Sequence, residues 1–193
     1  MAEKKPNRRA LKTRKAIFEG LAELLCEKEL PRITVNELTE KADIHRATFY
    51  KHFLDIYDVY EKLEMTILSD IGLIMTSHDG KAPLALYTDI LTYVKAHPQY
   101  FGMICSPHNT SGLYQKLLKM FIGVKRMITQ ERLHTEQLDS AALSVIRYHA
   151  NGCFAVIAEW VLHDFGQPEE FIIRTLSGLD ESAHAYLQKL IRS

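Results

Sequence analysis

Apolar residues recur along this chain at helical spacing almost from end to end. Ile17, Leu21, Leu24 and Leu25 follow the i, i+4, i+7, i+8 rhythm of one buried helix face. Leu30-Pro31 predicts the end of that helix, because a residue before proline is pushed out of the α region. Thr34-Val35-Asn36-Glu37 then reads as a capping box, in which the Thr34 hydroxyl accepts from the Glu37 amide and the Glu37 carboxylate reaches back. Val35, Leu38 and Ala42 give this second, short helix its inner face. Asp43-Ile44 breaks the pattern, and a third short helix is expected from Arg46 to about Phe53, with Phe49 and Phe53 turned inward. Asp55 reads as the N-cap of a long fourth helix reaching about Thr76, with Asp58 favourable in its first turn and Val59, Leu63 and Ile67 as its inner stripe.

The pattern resumes after His78-Asp79-Gly80. Helices are expected at roughly 83–97, 98–105, 111–133, 140–164 and 168–190, with breaks at His97-Pro98, Ser106-Pro107 and Gly166-Gln167-Pro168. Gly178 is a candidate split in the last of them. With no alternating stretch anywhere, the fold class is all-α. The expected organisation is a three-helix head over residues 1–54 and a larger helical domain over 55–193.

Charge sharpens this division. The chain is formally neutral, yet residues 1–53 carry 12 Lys and Arg against 8 Asp and Glu, and residues 54–193 carry 12 against 16. The basic excess concentrates in Lys4, Lys5, Arg8, Arg9, Lys12, Arg14 and Lys15, which points to a polyanionic partner for that end alone. No run of 18 apolar residues marks a membrane span, and no apolar segment follows the basic N-terminus as in a secretory signal. The three cysteines, Cys26, Cys105 and Cys153, have no CxxC spacing, so a reducing, cytoplasmic setting is expected.

The constellation that carries chemistry lies within residues 10–53. A capped short helix, a tight turn at Asp43 and a second short helix make a helix-turn-helix, whose second helix enters the major groove of double-stranded DNA. Between the inward Ile44, Phe49 and Phe53, that helix offers Arg46, Ala47, Thr48, Tyr50, Lys51 and His52, a set without a carboxylate. Arginine can fork onto guanine, and threonine can offer a hydroxyl or a methyl. Tyrosine, lysine and histidine suit phosphate oxygens.

Thr13-Arg14 opens the first helix and Ile33-Thr34-Val35 enters the second. With the run Ala47-Thr48-Phe49-Tyr50-Lys51-His52-Phe53, they make the stretch Thr13–Leu63 resemble the DNA-binding domain of TetR/AcrR-type transcription regulators. More weakly, Gly152–Phe171, with Trp160 and Gln167-Pro168-Glu169-Glu170, is similar to the last two helices of many such regulators. The resemblance implies DNA contacts from Thr34, Arg46, Ala47, Thr48, Tyr50, Lys51 and His52, with Tyr50 and His52 mainly on phosphates and Arg46 and Thr48 nearest the bases. It also implies a homodimer joined through the last two helices, a near-palindromic operator and, as the commoner mode, repression. The sequence departs from the pattern at Asp43, where a glycine is usual in the turn. It departs again at His45, where a serine-like N-cap is usual, and at Ile56, where a phosphate-binding lysine commonly stands.

The larger domain is read less sharply. Tyr87, Phe101, Met103, Met120, Phe121, Met127 and Tyr148 are candidate lining for the pocket of a partly apolar small-molecule effector, an expectation resting on the resemblance and on a soft aromatic and methionine-rich composition. Ile146, Ala150, Cys153, Ile157 and Leu176 are the candidate dimer contacts. His149 and Cys153 stand four apart on one helix, but two ligands do not make a zinc site, and no metal or cofactor is expected. No Gly-rich phosphate loop, GxSxG, HExxH or acid–base pair argues for an enzyme. The competing expectation is a chain of this fold that acts mainly through protein partners, as a co-activator or recruited factor with little ligand response. Its sign is an exposed apolar patch outside the dimer face.

Overall fold

The structure is a computed structural model, and it describes residues 8–78, 82–108 and 112–192. Among the described residues there are only helices: α1 Arg8–Glu27, α2 Val35–Lys41, α3 Arg46–Phe49, α4 Ile56–Ser77, α5 Pro83–Ala96, α6 Pro98–Cys105, α7 Leu113–Arg132, α8 Ser140–Leu162 and α9 Glu169–Arg192. The all-α expectation holds. Asp79 and Gly80 of the expected break, and Lys4 and Lys5 of the basic arm, lie outside the described residues.

The residues fall into two compact units, one within Met1–Ile67 and Gln99–Ser111, the other within Leu68–Pro98 and Gly112–Ser193. The expected boundary after residue 54 lies inside the first unit, at the start of α4.

In the first unit, α1 buries Ile17, Phe18, Leu21, Ala22, Leu24 and Leu25. It ends at Glu27, three residues before the expected stop, and Leu30–Arg32 instead forms a single 3-10 turn with Pro31 in its first positions. Proline removes a donor from a continuing helix, and a short 3-10 turn closed by i→i+3 bonds is a common connector at a helix end. The α2 capping box is complete. Glu37 N donates to Thr34 Oγ1 at 3.3 Å, and Thr34 N donates to Glu37 Oε2 at 2.9 Å. Leu38 and Ala42 are buried as expected, while Val35 is only half-buried.

The third helix is shorter than the sequence predicts. Its α turns stop at Phe49, and the chain then tightens through Lys51 N to Thr48 O at 3.2 Å and His52 N to Phe49 O at 2.9 Å. This places Phe53 beneath Phe18 and Phe49, with ring centres 5.7 and 5.9 Å away. Aromatic packing of this core therefore overrides one more turn of α-helix. The start of α4 is fixed twice over: Asp58 N donates to Asp55 Oδ1 at 2.8 Å, and Leu54 N donates to Asp58 Oδ2 at 2.9 Å. Val59, Leu63 and Ile67 are fully buried. Helix α6 belongs to this unit, where Ser106 Oγ donates to the Cys26 carbonyl at 3.4 Å.

In the second unit, α8 packs between α7 and α9, and α9 also packs on α5. The last helix runs unbroken through Gly178, contrary to the expected split. One glycine costs a helix interior only about 1 kcal/mol, and the buried Leu176, Ser177 and Asp180 hold α9 on both sides of it. Its start is shaped by Trp160, whose Nε1 donates to the Gln167 carbonyl at 2.9 Å. Helix α8 is long and apolar enough by length and composition to cross a membrane. It also carries Arg147, Asn151 and Glu159, and it buries Ile146, Ala150 and Cys153 in the core of its unit.

Candidate nucleic-acid interface

The turn between α2 and α3 is made by Asp43, whose φ of +50° lies in the left-handed region. Aspartate tolerates that region better than most side chains, so the missing glycine is accommodated. The Ile44 amide then donates to the Thr39 carbonyl at 3.0 Å, and His45 becomes the N-cap of α3. The His45 side chain makes no capping hydrogen bond, which is what its replacement of a serine-like residue predicts.

This geometry brings the candidate DNA-contacting residues to one surface. Thr34, Arg46, Ala47, Tyr50 and Lys51 are exposed, Thr48 and His52 are half-buried, and Phe49 and Phe53 are turned inward. None of the outward residues is acidic. The nearby Glu37 is engaged by Lys28, whose Nζ donates to Oε1 at 2.5 Å, and by the Thr34 amide. Those bonds, the Lys28 one above all, lower the Glu37 carboxyl to about 2. Across the unit, Lys41 pairs with Glu23 at 2.9 Å, so α1 and α2, which pack on each other, are tied by charge as well. A Cβ at Gly20 would stand 3.4 Å from Leu38 Cδ1, an ordinary van der Waals contact, so the two helices approach closely here without requiring glycine.

Ile56 is 5 % exposed, so its side chain lines the core and offers nothing to a phosphate. The exposed apolar residues beside it are Leu54 and Tyr57, which the sequence pattern did not single out. It also missed Asn36, whose Oδ1 accepts from Arg46 Nη1 at 3.3 Å. The signal available in the sequence was its place in the first turn of a capped helix that precedes the recognition turn. Of the basic N-terminal residues, Arg8, Arg9, Lys12, Arg14 and Lys15 lie exposed on the first turns of α1, and Arg14 stacks over Phe18 at 5.1 Å.

The candidate pocket residues divide between the two units. Phe101 and Met103 are buried in the first unit, whereas Tyr87, Met120, Phe121, Met127 and Tyr148 belong to the second. Met127 and Tyr148 are 54 % and 84 % exposed, so neither is an enclosed lining residue. Tyr148 instead borders a mostly apolar groove of about 600 Å³ between α8 and α9, with Gly152, Val156, Leu179 and Tyr186. Tyr87 is fully buried, and its hydroxyl donates to Asp180 Oδ1 and meets Cys153 Sγ, each at 3.3 Å. Asp180 Oδ1 also pairs with Lys125 and lies 3.4 Å from His149 Nε2. Burial pushes the Cys153 thiol up to about 11, so it is a protonated, unreactive thiol at neutral pH. Among the described residues, no three His, Cys, Asp or Glu side chains are placed to hold a metal ion.

Most of the candidate dimer residues lie inside the single chain. Ile146, Ala150, Cys153 and Leu176 are buried within the single chain, and Ile157 is half-buried. Helical periodicity identified the apolar face of α8, but that face packs on α7 and α9. The face left open carries Tyr148, Gly152, Leu179 and Tyr186.

No protein-family model matches the chain. Over 52 residues it is 40% identical to the uncharacterized HTH-type transcriptional regulator YxbF of Bacillus subtilis, a match covering 26% of this chain and only 14% of that relative. Among solved structures it is similar to a TetR-family transcriptional regulator from Streptomyces coelicolor, with a TM-score of 0.67 at 15% identity, covering 94% of this chain and 87% of the other. It is also similar to the fatty acid degradation regulator FadR from Bacillus halodurans, with a TM-score of 0.63 at 13% identity and 97% of each chain covered. A third likeness is to the dihydroxyacetone kinase operon activator DhaS, with a TM-score of 0.59 at 16% identity, covering 90% and 97% of the two chains. The chain has the all-helical fold of these regulators.

Proposed function

We propose that this chain is a DNA-binding transcription regulator of the TetR type, acting as a homodimer on a near-palindromic operator. The observation that supports it above the others is the surface of α3 and its following turn. There Arg46, Ala47, Thr48, Tyr50, Lys51 and His52 face outward together from an aromatic core, with no carboxylate among them. Arg46 and Thr48 are assigned to base edges, and Thr34, Tyr50, Lys51 and His52 to the phosphate backbone.

Dimerisation is assigned to the open face of α8 and α9 around Tyr148, Leu179 and Tyr186. Pairing of two heads sets the recognition helices one DNA turn apart, roughly 34–36 Å. Control by a small molecule follows if a ligand of the second unit prefers one head spacing. Such coupling is typically about 1–3 kcal/mol in DNA affinity. Repression is the mode proposed.

Selection of bound duplexes from a random library tests the reading. Enrichment of two half-sites related by two-fold symmetry, one helical turn apart, is the expected result. A library that emerges without any shared motif would instead favour a protein that works through other proteins, for which exposed Leu54 and Tyr57 would be the first surface to probe.

A further inference from the structure

Arg46, the first residue of α3, does not hang freely from the recognition surface. Its Nη1 donates to Asn36 Oδ1 at 3.3 Å, and its Nη2 donates to the Tyr50 hydroxyl at 3.1 Å. The guanidinium carbon lies 5.5 Å from the centre of the Tyr50 ring. Both partners stand on anchored parts of the unit. Tyr50 sits edge-on to Phe49, with ring centres 5.3 Å apart, and Phe49 is fully buried. Asn36 is the second residue of α2, whose start is locked by the Thr34–Glu37 capping box.

A guanidinium has five N–H donors. These two bonds use one on each terminal nitrogen and leave three, enough for the parallel pair that guanine O6 and N7 accept. An arginine held in advance has less rotamer freedom to lose when DNA arrives, and its fork meets one place in the groove. Lysine at this position could not be held this way, because it lacks the planar fork.

We propose that Asn36 is a positioning residue which, with Tyr50, aims Arg46 at one guanine of the operator half-site. This rests on the DNA-binding reading above, and the two can fail separately.

The test starts from the duplex that the wild-type chain enriches from a random library. Binding is then compared on that duplex and on single base-pair variants, for wild type, Asn36→Ala, Asn36→Asp, Arg46→Ala and the double variant Asn36→Ala/Arg46→Ala. Asn36→Ala should lower discrimination at one G·C pair by about fivefold or more, the low end of what a forked contact provides. Its melting temperature and its affinity for random DNA should stay at wild-type values. Asn36→Asp keeps the acceptor, so it should keep the base preference while binding all sequences less tightly. In the Arg46→Ala background, Asn36→Ala should cost nothing further. An unchanged base preference in Asn36→Ala would overturn the proposal while leaving the DNA-binding reading intact, and so would an equal cost with and without Arg46. Absence of any enriched sequence for wild type would overturn both.

Discussion

Lys125 and Asp180 form an ion pair in the interior of the helical second unit, where the two side chains are 17% and 5% exposed. Tyr87 and His149 complete the ring around the same carboxylate oxygen. Taking such charges out of water is costly, and the pair is tolerable because each charge has its partner. Replacing Lys125 by methionine should therefore destabilise the chain by about 3–5 kcal/mol, since it leaves a buried carboxylate without its counter-charge. Lys125→Met combined with Asp180→Leu should recover most of that loss. Urea denaturation of the single and double variants measures both, and a single variant within 1 kcal/mol of wild type would contradict the account.

The same cluster predicts how stability responds to mild acid. Burial, and then the Lys125 charge, lower the His149 pKa from 6.5, with Asp180 opposing. His184 shifts the same way, through burial and then Arg132. A histidine with a lowered folded pKa binds fewer protons folded than unfolded. Stability is therefore complete above about 6.5 and is lost as pH falls below it. Glu37 acts in a separate window: with its pKa lowered from 4.5 to about 2, its contribution is present above 4.5 and fades toward 2. Urea midpoints should fall between pH 7 and pH 5, and His149→Gln should flatten that slope. A slope unchanged in His149→Gln would show that the imidazole is not the group responsible.

Tyr148 and Ile146 separate association from folding, although they lie two residues apart on α8. Tyr148 is 84% exposed on the groove face and Ile146 is 3% exposed on the core face. Tyr148→Glu should yield a folded monomer in sedimentation velocity with little change in melting temperature. Ile146→Ala should cost about 2–5 kcal/mol of stability, as truncation of a buried aliphatic side chain does. A dimer that survives Tyr148→Glu would remove this groove from the interface.

Local rules suffice where the bonds that set a feature close within a few residues. The Thr34–Glu37 box, the Asp55 cap and the left-handed Asp43 are set by bonds within four residues, and each stands where the pattern predicts. The end of α1, the short α3 and the unbroken Gly178 depend on what packs against them, which no window of sequence contains. The residues proposed to read DNA could be placed on one surface because their spacing is local. Periodicity marks an apolar face on α8 without saying whether the chain's own core or a second copy covers it, so Ile146, Ala150 and Cys153 fell on the interior side. Asp180 and Lys125, 55 residues apart, carried no local signal of their pairing.

The central claim is that the Arg46-to-His52 surface reads DNA, and fluorescence anisotropy tests it most directly. The purified chain is titrated onto a labelled duplex from beside its own gene, with excess random competitor, for wild type and Tyr50→Ala. The account predicts wild-type binding about a thousandfold or more tighter than to random DNA, in the range of specific regulators, and its loss in Tyr50→Ala. Binding by wild type no tighter than to random duplex, on this DNA and on any sequence enriched from a library, would contradict it.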